Sequence, residues 1–316
     1  MPGLITILGL ALFEIVNSVD NAVINAEVLS KMGARARRWF LLWGILFAVF
    51  LVRGLLPWVI IWLTSGELTM WQALVATFSS SPEIHLLIEQ SAPPLLVGAG
   101  VFLVFLFLHW LFLEDKSYGL FGERFIHRHG VWFYTSASVI LTVIVWFSIK
   151  TNPAMAMGAV IGSTAFFMVH GFKENAESVE RQMLSGGVQF SDWSKILYLE
   201  AIDACFSIDG VLGAFAFTLS IPLIIAGNGI GAIVVRKLTV GNIERVKKFV
   251  YLKNGAMYSI LCLGAIMLLD AFGLESPSWL SPVITAVIIV WFFAKSVRLI
   301  RKKSGEIVSD NLATNK

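Results

Sequence analysis

Nine apolar runs divide this chain, at about residues 4–29, 39–63, 94–113, 131–149, 153–171, 196–219, 221–243, 254–272 and 279–297. A bilayer's hydrocarbon core is crossed by a helix of roughly 20 apolar residues. No water there satisfies an open backbone, so each run is expected to be helical. Composition agrees, because 57% of the 316 residues are apolar and only 14% are charged, whereas soluble domains carry about a quarter charged residues. This excludes a soluble α/β enzyme, a disordered chain and a secreted disulfide scaffold. The two cysteines, Cys205 and Cys262, sit in separate apolar runs, which reads as core packing rather than a disulfide framework. The first run has no basic residues before it and contains Glu14, so it reads as a membrane helix and not a signal peptide. The expected fold class is all-α, a polytopic transmembrane helical bundle of about nine spans.

Basic residues give the orientation. Lys31, Arg35, Arg37 and Arg38 follow span one, Lys116, Arg124 and Arg128 follow span three, and Lys173, Arg181 and Lys195 follow span five. Arg245, Lys247, Lys248 and Lys253 follow span seven, and Arg298, Arg301, Lys302 and Lys303 follow span nine. Residues 64–93 carry Glu67, Glu83 and Glu89 with no Lys or Arg, and the loop near Asp270 and Glu275 is also without a base. With nine spans every basic loop falls on one side, which places the N-terminus outside and the C-terminus inside a cytoplasmic (inner) membrane. The basic residues form short flanking clusters rather than one patch, so nucleic acid is not an expected partner. The bilayer is, and homo-oligomers remain open. The chain is expected to divide into a first membrane repeat (1–130), linking spans and a cytoplasmic loop (131–195), a second, inverted repeat (196–303) and a disordered cytoplasmic tail (304–316).

Charges inside apolar runs are the informative feature, since each costs several kcal/mol unless paired or hydrated. Span one holds Glu14 and Asp20, and span six holds Glu200, Asp203 and Asp209. Laying SVDN (18–21) on SIDG (207–210) matches Asp20 to Asp209 and also Glu14 to Asp203. A second echo follows, FLVRGL (50–55) against IVVRKL (233–238), which matches Arg53 to Arg236. Two acidic helices, each followed by an arginine helix and lying five spans apart, describe an inverted repeat of the kind that builds midplane sites in secondary transporters.

At roughly 100° per residue, Glu200, Asp203 and Ser207 share a face, while Asp209 falls about 180° from Glu200. Gly210 and Gly213 directly follow Asp209, and Asn17, Ser18, Asn21 and Asn25 surround Asp20. Both acidic helices are therefore expected to be broken near the motif, with freed carbonyls lining a cavity. Five carboxylates with Asn17, Asn21 and Ser207 make an oxygen-rich, anionic set without a Cys–His or His–His pair. Hard divalent cations prefer such shells. A proton path through paired carboxylates is the alternative. Arg53 and Arg236 would neutralise the site when it is empty.

At these residues the chain resembles the TerC family of membrane proteins, within the LysE-type transporter superfamily. The resemblance lies in ExxxxxDN (Glu14, Asp20, Asn21), RRWFLLWG (37–44), Arg53 and ExxDxxFSxDG (Glu200 to Gly210). LFLHWLFLEDKS (106–117), HGFKENAE (170–177) and YLKNGAMY (251–258) look like an uncharacterised branch of that family. TerC relatives are linked to tellurite resistance, and several to manganese export. The resemblance implies a metal site at Glu14, Asp20, Glu200, Asp203 and Asp209, with Asn21 beside them and Asn17, Ser207, Arg53 and Arg236 in support. The implied cargo is Mn²⁺, with Ca²⁺ or Mg²⁺ as alternatives, and no cofactor is expected. This chain has more spans and longer loops than a short TerC protein.

Blander readings stand beside these. The carboxylates could be an ion-pair network that only joins helices, although two arginines cannot neutralise five acids and helix contacts in membranes are usually uncharged. His109 and His170 are expected at helix ends, with Glu114 and Asp115 in solvent. Glu174, Glu177 and Glu180 read as a solvated face, or as a cytoplasmic metal vestibule. The Phe and Trp side chains are expected mostly toward lipid or its interface. An intramembrane enzyme finds no HExxH, GxSxG or paired-aspartate motif. A transporter and a non-transporting membrane scaffold are the two remaining classes.

Overall fold

In the computed structural model, residues 2–44, 47, 53–65, 69–71, 82–185, 191–241 and 243–314 are described. The chain is all-helical, with 84% helix and no strand among the described residues. The helices are α1 (Pro2–Asn17), α2 (Val19–Ser30), α3 (Ala34–Trp39), α4 (Arg53–Ser65), α5 (Pro82–Leu113), α6 (Glu123–Arg128), α7 (Trp132–Thr151), α8 (Pro153–Ser185), α9 (Asp192–Ala214), α10 (Ile221–Gly241), α11 (Ile243–Val246), α12 (Leu252–Ala271) and α13 (Leu280–Thr314). A π-helical turn, Phe40–Gly44, follows α3.

Among the described residues, six helical stretches are long and apolar enough to cross a membrane: Ala92–Leu113, Trp132–Thr151, Pro153–Asn175, Ile221–Leu238, Leu252–Ala271 and Leu280–Lys302. The bent pair α1–α2 makes a seventh if it is counted as one span. Helix α9 has the length, but every 18-residue window of it holds Glu200, Asp203 and Asp209. The second run of the sequence, 39–63, lies partly outside the described residues.

Helix α5 is the central post. Its apolar stretch is mostly buried, with α8 and α12 packed along it and α4, α7 and α9 against it. Between membrane helices the apolar effect gives little drive, so small residues that let backbones approach decide the contacts. A Cβ on Gly158 or Gly162 would run into the carbonyls of Pro94 and Gly98, which fixes α8 against α5. Gly100 and Gly264 meet in the same way between α5 and α12. Helices α7, α8 and α13 leave much of their apolar surface uncovered, and Trp132, Trp146 and Trp291 are exposed there. Other aromatics are interior: Phe102 and Phe105 meet Phe166 edge-on at 6.0 and 5.7 Å, and Trp110 is fully buried.

Three expectations change. Helix α8 continues from its apolar stretch through the polar 172–185 segment to Ser185, so this part is not a loop. Helix α13 runs to Thr314, where a disordered tail was expected from 304. Helix α9 is unbroken from Asp192 to Ala214, against the expected break at Gly210. Its glycines serve close approach instead. A Cβ on Gly210 would come 2.9 Å from Glu14 Oε2, and one on Gly213 would come 2.6 Å from the Phe13 ring.

Candidate cation site

The first acidic helix does break. Helices α1 and α2 meet at Ser18 with a 57° bend, and Ser18 has φ −90° and ψ 2°. Its Oγ donates to Glu14 Oε1 at 2.7 Å. Asn17 and Ser18 are residues whose short polar side chains offer the backbone an alternative to helix, which is why the bend falls there. Glu14 is fully buried. It sits between two glycines, Gly210 on α9 and Gly231 on α10, where a Cβ would approach the Glu14 side chain to 2.9 and 2.6 Å. Only glycine leaves room for this carboxylate between three helices.

Beyond the bend, Asn21 Nδ2 donates to Asp203 Oδ1 on α9. Ser207 Oγ donates to the Asp203 carbonyl at 2.6 Å. The two acidic motifs are thus brought together, Glu14 and Asn21 from one side and Asp203, Ser207 and Gly210 from the other. Asn17 lies beside Gly210. Glu200 points elsewhere. Its Oε1 and the Arg236 Nη2 converge on Gly44, whose missing Cβ leaves the space they fill. Arg236 donates to the Phe40 carbonyl and lies 4.0 Å over the Phe40 ring, a favourable cation–π contact. Asp20 lies in α2 and Arg53 opens α4, but the side chains of both are outside the described residues.

Asp209 is buried and turned away from Glu200, as an unbroken helix demands. Its Oδ2 meets the Lys173 ammonium of α8 at 2.5 Å. The sequence reading placed Lys173 in a loop and missed it. The signal was HGFKENAE (170–177), which puts His170, Lys173 and Glu174 at helical spacings of three and four.

A cavity of about 1000 Å³ opens from Asn17 and Asp209 past Lys173, His109, His170 and Glu114. The three segments that the sequence singled out around 106–117, 170–177 and 251–258 all contribute to it. The His109 and His170 rings lie with centroids 3.8 Å apart. His109 is 3.7 Å from Glu114, and His170 is 3.3 Å from Glu174. Lys253 pairs with Glu114 at 2.8 Å, so Glu114 is not a solvated end residue, whereas Asp115 is fully exposed. Burial pushes the Glu114 carboxyl up, but the His109 hydrogen bond and the Lys253 charge outweigh it and hold its pKa at about 2. Burial lowers the Lys116 ammonium to about 8 against the pull of Glu123 and Glu114.

Glu123 is a second residue the sequence did not single out. It accepts from Gly119 N at 2.6 Å, Leu120 N at 3.0 Å and Tyr258 Oη at 2.8 Å. It pins the turn between α5 and α6 onto α12.

Among the described residues, no group of three or more His, Cys, Asp and Glu side chains is arranged to hold a metal ion. The carboxylates are held apart in pairs instead. Their remaining oxygens are nonetheless short of donors. Both Glu200 oxygens, Asn21 Oδ1, Asn25 Oδ1 and Asp209 Oδ1 are buried with no hydrogen-bond partner among the described residues.

These helices carry the match that places the chain. Residues 19–303 match the family described as Protein of unknown function (DUF475), and the chain belongs to that family. Comparison with curated proteins and with solved structures gives no match.

Proposed function

We propose that the protein is a secondary transporter for a hard divalent cation, with Mn²⁺ export across the cytoplasmic membrane as the favoured activity. One observation carries the reading. Buried acceptor oxygens on α2 and α9, those of Asn21, Asn25, Glu200 and Asp209, have no donor among the described residues. Buried polar atoms are rarely left in that state, and a hard cation satisfies an oxygen set that donors do not. The cavity reaching Asn17 and Asp209 supplies an approach. Asp203, Glu14 and Asp20 would complete the ligands, with Ser207 and Asn17 in support and Arg53 and Arg236 as counter-ions.

The topology belongs to the same proposal. The six apolar helices, the bent pair, the 39–63 segment and α9 make nine spans, with the N-terminus outside and the C-terminus cytoplasmic. The inverted repeat finds support in the packing. Acidic α1 lies on arginine-bearing α10, and acidic α9 lies against arginine-bearing α4, so each copy's acidic helix rests on the other copy's arginine helix. The resemblance to TerC proteins supports the choice of manganese.

A second reading, a non-transporting membrane scaffold or stress-response subunit, draws on the Asp209–Lys173 pair and on Glu200 lying beside Arg236. Both look like charges that neutralise one another. Flux in sealed vesicles across Mn²⁺, Mg²⁺, Ca²⁺, Zn²⁺ and Cu²⁺ separates the two. The transporter reading expects Mn²⁺ movement and little Zn²⁺ or Cu²⁺, because an all-oxygen shell competes poorly for metals that favour nitrogen and sulfur. A chain that moves none of the five ions is a scaffold.

A further inference from the structure

We propose that Lys173 is a tethered competitor for the transported cation. Its ammonium holds Asp209 while the site is without cargo, and a divalent ion must displace it to bind. The inference rests on the cation-transport reading.

Three features of the structure lead there. The Lys173 Nζ lies 2.5 Å from Asp209 Oδ2, with side-chain exposures of only 12% and 6%. A contact this close occupies the oxygen that a metal ion would take. Lys173 also has space beside it, because it and Asp209 both line the cavity of about 1000 Å³. Finally, two other carboxylates, Glu114 and Glu174, line the same cavity. A displaced ammonium on its flexible four-carbon stem thus has open volume and a wall that carries carboxylates, Glu114 shared with Lys253 and Glu174 with His170.

The chemistry is an exchange of cations at one carboxylate. With Lys173 in place Asp209 is neutralised, and a divalent ion arriving beside the ammonium meets a like charge in a medium of low dielectric. When the ammonium swings toward Glu174 or Glu114, Asp209 Oδ1 and Oδ2 both become available. On release the amine returns, and its tethering gives it a high effective concentration at the carboxylate. The lysine therefore weakens binding and hastens release. A carboxylate site without it would hold the ion more tightly and pass it more slowly.

The test measures Mn²⁺ binding to the purified full-length chain at one fixed pH, together with Mn²⁺ flux in vesicles. Lys173→Met and Lys173→Gln are expected to bind Mn²⁺ at least tenfold more tightly and to transport it more slowly. Lys173→Arg keeps the charge and is expected to stay near the wild-type affinity. A purely structural ion pair would move both neutral variants toward weaker binding. A second measurement needs no variant: adding Mn²⁺ to the wild-type chain should raise labelling of Lys173 by an amine-reactive reagent, read by mass spectrometry. Unchanged labelling in a chain that binds Mn²⁺, or neutral variants that bind no more tightly, overturns the inference and leaves the transport reading standing. Absence of Mn²⁺ binding in the wild type and in all three variants overturns both.

Discussion

Asn21 donates its side-chain amide to Asp203 across 182 residues of chain, a buried bond between the helix beyond the Ser18 bend and the unbroken acidic helix α9. Both residues are buried. A hydrogen bond to a charged group is worth about 1.5–3 kcal/mol when its partner is removed. Asn21→Ala is therefore expected to destabilise the protein by that amount in detergent, read as a lower unfolding midpoint. Asn21→Asp should cost more, because it sets a second carboxylate against Asp203. An unchanged midpoint for both would mean the link bears no load.

Gly231 offers a steric test of the same region. A Cβ there would come 2.6 Å from Glu14 Cβ and 2.9 Å from the Ala11 carbonyl, and the backbone on one side cannot yield cheaply. Gly231→Ala should cost about 1–3 kcal/mol, as overpacking of a close contact does, and on the transport reading it should reduce cation flux by moving Glu14. Gly171→Ala is the control, since nothing lies within 4 Å of its added methyl. Equal thermal midpoints for the two variants would remove Glu14 from its wedge between α9 and α10.

Much of this is legible in the amino-acid sequence. Apolar length identified the six described helices able to cross a membrane, because a bilayer leaves a helix as the simplest way to satisfy the backbone. Charge in an apolar run identified Glu14, Asp203 and Asp209, because such charges are costly. The bend at Asn17–Ser18 was also readable from side chains that compete with the helix. What misled was Gly210. A glycine after an aspartate suits either an unwound turn or a close helix contact, and only the arrival of Glu14 from α1 decides between them. Lys173 was hidden by composition. Its segment is polar enough to look like a loop, and its partner lies 36 residues away on another helix.

The wall of the cavity makes a pH prediction. Glu114 has its pKa moved from an ordinary 4.5 to about 2 by His109 and Lys253, against the opposing effect of burial. A folded-state pKa below the unfolded one means stability that is present above pH 4.5 and lost as pH falls toward 2. Glu114→Gln removes the titrating group. Across that window its unfolding midpoint should fall less steeply with acid than that of the wild type, while lying below it at neutral pH. Parallel pH profiles would show that the Lys253 contact contributes nothing to the folded state.

Asp20 and Asp209, the residues that the proposed repeat would make equivalent, give the sharpest comparison. An amide of the same size keeps one oxygen but loses the charge that offsets dehydration of a divalent ion. If a cation passes between the two motifs, Asp20→Asn and Asp209→Asn should each lower Mn²⁺ flux by at least tenfold while both variants insert normally. Glu27→Gln is the matched control. Glu27 lies in α2 with Asp20 but is exposed, so its carboxylate needs no partner and flux should stay near wild type. Asp209→Asn carries a second consequence. It strips the anion from beside Lys173, so a largely buried ammonium loses a close charge and the protein should also lose stability. Normal flux in both motif variants would make the charges structural and the scaffold reading correct. Loss of flux from Asp209→Asn alone would place the cation beside α9 and the cavity, with the first motif serving to bend its helix and hold Asp203.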